Sequence, residues 1–399
     1  MMSILRRNTD RFLSQPHQPF FAAGIVWAIV AMTVFILGYK GIVVLSVPPA
    51  FFHAYAMLFI VFTPFLTGFI FTTFPRFCQS EVIAPHRWRT RLFVQQAASV
   101  FFVAGALVSA WLAAAAAVAL FVSQIMIVSV LQRVYETGRA SRITPDPVWI
   151  LAGFHMGLLA HLLFLVTAVA APSDDTLFRI AAAIGFWLYL TFTVFAVAQR
   201  MVPFFSHVMT DKTPAFAATV FAALVAKVVC IVFGLHLLQA FVDAALFFYL
   251  LREFRRWKLG ALHAPAILWV LHLALYWLPA ALAAGALADL AAARGYGENF
   301  LSLHLAALGF ATTMLIGFGT RVTLGHSGQT PHADRFAVAL FVLVQLTLVA
   351  RALYAVSIPA GWNALWLFDL SGTFWVLLFF LWGLRYGPVL AVGKKLKKF

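Results

Sequence analysis

Residues 20–39 read FFAAGIVWAIVAMTVFILGY, twenty residues without one charged side chain. An α-helix rises about 1.5 Å per residue, so a run of this length crosses about 30 Å of hydrocarbon. Similar runs recur from Phe20 almost to the C-terminus of the 399-residue chain. The sequence therefore predicts a polytopic membrane protein of the all-α class.

The composition excludes the other broad classes. Hydrophobic residues make up 63% of the chain and charged residues only 10%. A soluble domain carries about 25% charged residues, so this chain could not cover its surface with water-compatible groups. The apolar runs are too long for the strands of an outer-membrane barrel, and they lack its alternation of period two. Two cysteines, Cys78 and Cys230, provide neither a disulfide framework nor a Cys-x-x-Cys metal site.

Twelve spans account for the apolar runs, and they are predicted to form a single integral membrane domain over residues 1–399. The boundary between the third and fourth spans, inside the alanine run that follows Trp111, is the least defined. No internal repeat is visible along the chain. The predicted spans are 20–39, 51–74, 92–111, 113–131, 148–171, 179–199, 214–234, 235–251, 264–288, 301–320, 336–357 and 364–385.

The basic residues indicate the orientation of the spans. Of the 28 Lys and Arg residues, 23 lie in the N-terminal segment, in the connections after the even-numbered spans and in the C-terminal tail. This set begins with Arg6 and Arg7 and ends with Lys397 and Lys398. By the positive-inside rule both termini are predicted to be cytoplasmic. The net charge of +15 is then a topology signal, and no nucleic-acid partner is expected.

Histidines are the unusual polar residues of the spans, because an ionisable side chain at membrane depth is a functional candidate by default. His53 and His304 lie near the outer ends of spans two and ten. His155 and His272 lie deeper, on the cytoplasmic side of spans five and nine. His161 lies near the midplane, and its spacing of six from His155 places the two rings on different helix faces. Neutral imidazoles at two depths suit a haem iron or a copper ion, and hydrogen-bonded packing is the alternative for each.

Two span ends repeat one basic arrangement. Arg200 and His207 follow span six, and Arg321 and His326 stand at the same depth at the glycine-rich end of span ten. An arginine at this position can bind a carboxylate or a haem propionate through two parallel hydrogen bonds. Positive-inside anchoring is the alternative for both arginines. His207 is a further candidate metal ligand.

Lys227 and Asp243 are charged residues within the spans. Spans seven and eight form a hairpin, and both residues lie seven or eight positions from its turn. A lone charge at this depth is costly. The placement therefore predicts a buried ion pair with a structural role.

At these residues the chain resembles the NnrS family, membrane proteins that carry haem and copper and are associated with bacterial nitric oxide metabolism. The best match is His304–Gly328, where a helix histidine, a Thr-Met pair and a final Thr-Arg-x-x-Leu-Gly-His are reproduced. Leu268–Leu278, which surrounds His272, is also similar to the family's ninth span. Shorter similarities cover Arg200–Phe205 and Gln18–Phe21.

Span two departs from the family pattern. The family reads Trp-His-Ala-His-Glu-Met where this chain has Phe52-His53-Ala54-Tyr55-Ala56-Met57. His53 is kept, but Tyr55 and Ala56 replace a histidine and a glutamate. If the replaced residues are metal ligands or a proton-carrying carboxylate in the family, the departure predicts that one metal site is lost or altered here. The alternative is that Tyr55 itself ligates iron or forms a hydrogen bond to a ligand. Pro75–Gln79 likewise stands where Pro-Asn-Trp-Thr-Gly is expected.

The resemblance implies a haem protein, with copper as a second metal, that binds nitric oxide and reduces or otherwise detoxifies it. The haem is expected to be of the b type, because no Cys-x-x-Cys-His motif is present to attach it covalently. His53 and His304 are the first choice of ligands, and His272 and His155 are the second.

Proton supply is the weak point of a reductase, because few acids lie within the spans. Hydroxyl groups such as those of Tyr55 and Thr312 are expected to relay protons. A non-catalytic haem or metal sensor, an assembly factor and a twelve-helix transporter are the alternatives. The expected partners are nitric oxide, membrane lipid and an unidentified electron donor, and a homodimer is left open.

Overall fold

The computed structural model describes residues 9–169, 175–259, 263–297 and 300–396. Within these ranges the chain forms helices and no strand. Outside them lie Arg6, Arg7, Lys397, Lys398 and the end of the fifth predicted span at residue 171.

Twelve long helices, α1 to α12, are found in the described residues, and each corresponds to one predicted span. Eleven are long and apolar enough to cross a membrane. The remaining one, α8, carries Asp243 in its middle and four charged residues near its C-terminal end. The prediction of an all-α, polytopic membrane protein is therefore confirmed. The helices are α1 His17–Tyr39, α2 Pro49–Cys78, α3 Pro85–Val108, α4 Ala110–Thr137, α5 Asp146–Val169, α6 Asp175–Phe205, α7 Phe216–Phe233, α8 His236–Arg256, α9 Ala266–Ala292, α10 Leu301–His326, α11 Arg335–Ser357 and α12 Leu365–Val392.

The charges at the end of α8 are satisfied around Glu253, which is only 2% exposed. Its carboxylate accepts hydrogen bonds from the backbone N–H and the hydroxyl of Thr213, at 3.0 and 2.6 Å. Arg256 and the indole N–H of Trp257 are further donors, at 2.8 and 3.1 Å. A buried charge is tolerated when it is fully bonded, so Glu253 fastens the segment between α6 and α7 to α8.

The break between α3 and α4 lies at Ser109, whereas the predicted third span continues to residue 111. Ser109 has an extended backbone, with φ of −159°. A Cβ at Gly105 would overlap the backbone of Ala113, so the missing side chain lets the two helices approach closely. The hydroxyl of Ser46 also donates to the Gly105 carbonyl at 2.9 Å. Close packing at Gly105, rather than a change of composition, accompanies the break.

Helices α2, α6 and α10 each contain a π-helical segment, at Ala56–Phe62, Ile184–Thr191 and Leu305–Thr312. They are also the most buried of the candidate spans. In their apolar portions 89%, 83% and 67% of residues are buried, against 56% or less in the others. One deeply buried helix therefore recurs at every fourth position along the chain. π-helical segments are rare and are frequently found at functional sites.

Threonine hydroxyls bond carbonyl groups within or beside two of these segments. Thr63 donates to the carbonyl of Leu58 at 2.8 Å, and Thr312 donates to the carbonyl of Ala307 at 2.8 Å. In both pairs the acceptor lies five residues before the threonine. Because no water bonds backbone groups in hydrocarbon, these hydroxyls stabilise the irregular turns.

The helices form two compact units. The first contains the described residues up to Leu190, Thr323–Gln329 and the described residues from Phe379 onward, and the second contains Thr191–Val322 and Thr330–Leu378. The candidate site residues of the first unit are His53, Tyr55, His155 and His326. Those of the second unit are Arg200, His207, His272, His304, Thr312 and Arg321.

Candidate functional site

A fully buried chain of hydrogen bonds joins α2, α4 and α5 in the first unit. The hydroxyl of Tyr55 lies 2.6 Å from Nε2 of His161, and Nδ1 of His161 lies 2.6 Å from Oε1 of Gln124. The exposed fractions of these side chains are 0%, 1% and 2% respectively. The structure thus brings the candidate Tyr55 together with the midplane histidine.

The donor and acceptor roles in this chain follow from Gln124. Its Oε1 can only accept, so Nδ1 of His161 donates and Nε2 carries the lone pair. The hydroxyl of Tyr55 is then the donor of the hydrogen bond to Nε2. With a neutral imidazole, both ring nitrogens of His161 are therefore engaged in hydrogen bonds. In this arrangement it is a hydrogen-bond partner rather than a metal ligand.

Aromatic rings enclose the Tyr55 and His161 pair. Phe59 stacks on the His161 ring with centroids 4.0 Å apart, and Phe102 stacks on the Tyr55 ring at 4.4 Å. Phe164 meets Tyr55 edge-on at 5.7 Å. The hydroxyl and the imidazole are consequently the polar groups of an apolar enclosure, where hydrogen bonds are stronger than in water.

A second phenol, Tyr189 of α6, lies near the first. Its ring is parallel to that of Phe59 at 6.2 Å, and its hydroxyl lies 2.7 Å from that of Thr63. The Thr63 hydroxyl already donates a hydrogen bond to the carbonyl of Leu58, so Tyr189 is the donor in the hydrogen bond between Tyr189 and Thr63. Both phenols therefore donate to a defined acceptor in the first unit.

The predicted ligand His53 is half-buried near the start of α2. Its ring stacks on Phe35 of α1 with centroids 4.1 Å apart. His155 lies on the exposed side of α5, where Nδ1 is 2.9 Å from the carbonyl of Leu151 in the same helix. Because His161 is buried and His155 is exposed, the prediction that they occupy different faces is confirmed.

His326, at the end of α10, packs against His17, the first residue of α1. Their ring centroids are 4.7 Å apart. His17 is only 2% exposed, and its Nδ1 has no hydrogen-bond partner among the described residues. The pairing gives His326 a partner that the sequence did not indicate.

Two histidines of the second unit have ring nitrogens suited to a metal. Nδ1 of His304 lies 2.7 Å from the carbonyl of Phe300, so Nδ1 donates and Nε2 carries the lone pair. Metal-ligating histidines commonly use one ring nitrogen in this way. Nε2 of His272 bonds the hydroxyl of Ser206 at 2.7 Å, while its buried Nδ1 has no partner within the described part of the chain.

The basic end of α10 contacts the end of α6. The guanidinium of Arg321 lies 3.9 Å from the centroid of the Phe205 ring, a cation–π contact. No ion pair found among the described residues includes Arg321. Arg200 is half-buried, and His207 is exposed with a left-handed backbone, φ 52°, just after α6 ends. Within the described residues, Arg321 therefore packs on an aromatic ring and is not paired with a carboxylate.

Thr312, the other predicted proton carrier, is completely buried. Its hydroxyl donates a hydrogen bond to the Ala307 carbonyl at 2.8 Å. The neighbouring Thr313 accepts a hydrogen bond from Gln345 at 3.1 Å, and Gln345 accepts one from the indole of Trp277 at 2.8 Å. Thr312 thus has a clear structural role at the end of its π-helical segment.

Sequence reasoning did not select Gln124, Tyr189 or Thr63. Gln124 offered a signal, because it is a polar residue in the middle of an apolar span. Tyr189 and Thr63 offered none, since tyrosine and threonine are common in membrane helices. The pairing of residues far apart in the chain emerges only when the helices are packed.

The half-buried His304 and the buried His272 suit the axial ligation of a haem iron better than an all-protein metal cage. Among the residues that the structure describes, no group of three or more His, Cys, Asp or Glu side chains is placed to hold a metal ion. A haem iron needs only one or two axial ligands from the protein. His304, with its tautomer fixed, and His272, with its unpartnered buried nitrogen, meet that requirement.

The fold is that of a multi-pass membrane protein, with imidazoles among its helices that range from buried to exposed. The sequence model of one family, described as NnrS protein, matches residues 11–392. The chain therefore belongs to the NnrS family, as the resemblance at His304–Gly328 predicted. A comparison with curated proteins found no match.

Proposed function

We propose that this chain is a haem-containing protein of the bacterial inner membrane that binds nitric oxide and reduces it, with copper as a second metal. Family membership over residues 11–392 supports the link to nitric oxide and to haem and copper. The structural observation that supports reduction is the buried pair of Tyr55 and His161, whose atoms lie 2.6 Å apart. It places a transferable proton in an apolar interior, where an uncharged gas concentrates.

The candidate axial ligands in the second unit are His304 and His272. His53, in the first unit, is a separate candidate ligand. A haem held by His304 or His272 would supply an iron that binds nitric oxide, and copper would supply a place for a second molecule. Arg321 would bind a propionate, because its guanidinium has no carboxylate partner among the described residues.

Reduction of two nitric oxide molecules to nitrous oxide and water takes up two protons and two electrons. The electrons come from an external one-electron donor. The pair of Tyr55 and His161 can give one proton locally. When Nε2 of His161 has taken a proton from water, Tyr55 becomes the acceptor of their hydrogen bond and can give its own hydroxyl proton to another acceptor. The Nε2 proton then moves to the phenolate oxygen of Tyr55, so one proton is transferred and both residues return to their neutral forms.

The orientation of the chain is part of the proposal. The distribution of Lys and Arg supports cytoplasmic termini, with the connections after the even-numbered helices on the same side. A reporter that is active only in the cytoplasm, fused at either end, should therefore be active. An inactive reporter at both ends would show that the termini lie on the opposite side of the membrane.

A non-catalytic haem sensor is the second candidate. The observation that favours it is the replacement of a family histidine and glutamate by Tyr55 and Ala56 in span two. The loss of a ligand at this position would leave haem to bind nitric oxide without a second metal to complete the reaction. Consumption of nitric oxide distinguishes the two candidates.

The test is to purify the protein, record its absorption spectrum, measure its copper, and follow nitric oxide and nitrous oxide under reducing conditions. We expect a haem b spectrum, and acid acetone should extract the haem completely, because no Cys-x-x-Cys-His attaches it. We also expect nitrous oxide to form as nitric oxide disappears. Haem that binds nitric oxide without consuming it would favour the sensor, and a colourless protein would reject both candidates.

A further inference from the structure

A second cluster of titratable side chains lies in the second unit, away from the phenols described above. Nζ of Lys227 on α7 is 2.5 Å from Oδ2 of Asp243 on α8, which confirms the predicted ion pair. The exposed fractions of the two side chains are 2% and 0%. Oδ1 of Asp243 has no hydrogen-bond partner in the described part of the chain. A buried polar atom without a partner calls for an explanation beyond the ion pair.

Two further groups connect Asp243 to the surface. Asp289 lies one helical turn after Gly285 on α9, and Gly285 packs directly against Oδ2 of Asp243. Oδ1 of Asp289 is 3.6 Å from Nδ1 of His236, the first residue of α8. Exposure rises along this series, from 0% for Asp243 to 13% for Asp289 and 31% for His236. The series therefore runs from a completely buried carboxylate to an imidazole that water reaches.

The inner end of the series meets α10. A Cβ at Gly285 would overlap Oδ2 of Asp243 and would lie 2.9 Å from Oγ of Ser302. The absence of a side chain at this glycine lets the carboxylate and the hydroxyl converge on one point. Oγ of Ser302 is itself buried and has no hydrogen-bond partner among the described residues. Ser302 lies two residues before the candidate ligand His304 on the same helix.

The charges of the cluster favour proton transfer over binding of a metal cation. The ammonium of Lys227 already bonds Asp243, and it would repel a cation at the same place. Cys230, on the same helix as Lys227, is a free, buried thiol. A purely structural ion pair needs only Lys227 and Asp243, so it leaves Asp289, His236 and the open Oδ1 unexplained.

We propose that His236, Asp289 and Asp243 form a proton-uptake path that leads from the surface at the turn between α7 and α8 to Ser302, at the start of α10. The path rests on the proposed function, since reduction of nitric oxide takes up two protons for every two molecules. His236 takes a proton from water, the two carboxylates carry it inward, and the Ser302 hydroxyl passes it on. Lys227 balances the charge of Asp243 between transfers.

The test uses the full-length protein with its haem, reconstituted in lipid vesicles. Asp289→Asn and His236→Gln keep hydrogen-bonding capacity but cannot carry a proton at neutral pH. We expect each to lower the rate of nitric oxide consumption about ten-fold or more, with haem content and absorption spectrum unchanged. The solvent deuterium isotope effect should rise in both variants, and formate, a small diffusible acid, should partly restore the rate of Asp289→Asn. A merely structural role would change stability without either effect.

Matched controls use exposed residues elsewhere in the same unit. Asp211→Asn and His332→Gln alter the same residue types at exposed positions and should keep the wild-type rate. Asp243→Asn leaves Lys227 without its partner and risks misfolding, so it is secondary. Wild-type rates in both Asp289→Asn and His236→Gln, with an active parent protein, would overturn the path alone. A parent protein that consumes no nitric oxide would instead overturn the proposed function, and the path with it.

Discussion

Replacement of Tyr55 by phenylalanine removes one hydroxyl from the buried chain and keeps the ring. The 2.6 Å bond to Nε2 of His161 is then lost, and that nitrogen keeps a lone pair without a donor. An unsatisfied buried acceptor costs about 1–3 kcal/mol, and hydrogen bonds inside membrane proteins reach about 1.7 kcal/mol. We therefore expect Tyr55→Phe to lower the free energy of unfolding by about 1–2 kcal/mol.

Tyr189→Phe is the matched control, because it also removes one buried phenol. Here the group left behind is the hydroxyl of Thr63, which still donates to the Leu58 carbonyl at 2.8 Å. Loss of the hydrogen bond that the Thr63 hydroxyl accepts should lower the free energy of unfolding by about 0.5 kcal/mol. Equilibrium unfolding of both variants in mixed detergent micelles measures the difference. Equal destabilisation by the two substitutions would refute the argument that His161 depends on Tyr55 as its donor.

Three further outcomes follow from the site. Tyr55→Phe should also slow nitric oxide reduction about a hundred-fold, with the haem spectrum unchanged, as single-turnover measurements can determine. His304→Ala should remove a haem or copper signal from the absorption and electron paramagnetic resonance spectra. His155→Ala, on an exposed helix face, should leave both spectra unchanged. Loss of the signal in His155→Ala but not in His304→Ala would contradict the assignment of His304 as a ligand. Arg321→Lys preserves the topology charge but lacks the planar fork, so it should shift the haem potential or weaken haem retention. Phe205→Leu removes the ring under Arg321 but keeps the hydrogen-bond donors of the guanidinium. If Arg321 binds a propionate, this variant should leave the haem potential unchanged.

The positions of the helices could be predicted from the sequence because the bilayer fixes their length. Each of the twelve predicted spans corresponds to one helix. The helix α8 was predicted despite its charges because residues 235–251 form a largely apolar run. The break between α3 and α4 was placed less well. The alanine run after Trp111 is uniformly apolar, so only the packing at Gly105 marks where one helix gives way to the next.

The candidate site was only partly predictable, because an apolar helix surface does not reveal which face is inward. The spacing of His155 and His161 separated their faces correctly, yet both faces of α5 are apolar. Packing alone decides that His161 turns toward Tyr55 and Gln124 while His155 is exposed. The π-helical segments were likewise invisible, because they carry no distinct composition.

The burial of α2, α6 and α10 gives a physical reason for the location of the candidate chemistry. A π-helical turn displaces backbone carbonyls, which hydrocarbon cannot satisfy, so such turns are tolerated only where protein groups bond them. Thr63 and Thr312 provide those bonds, and the most buried helices are where such partners are available. The same exclusion of lipid protects Tyr55 at the edge of its own π-helical segment. Irregular backbone and polar side chains therefore occur together in these helices, because both require hydrogen-bonding partners from the protein in a region where lipid provides none.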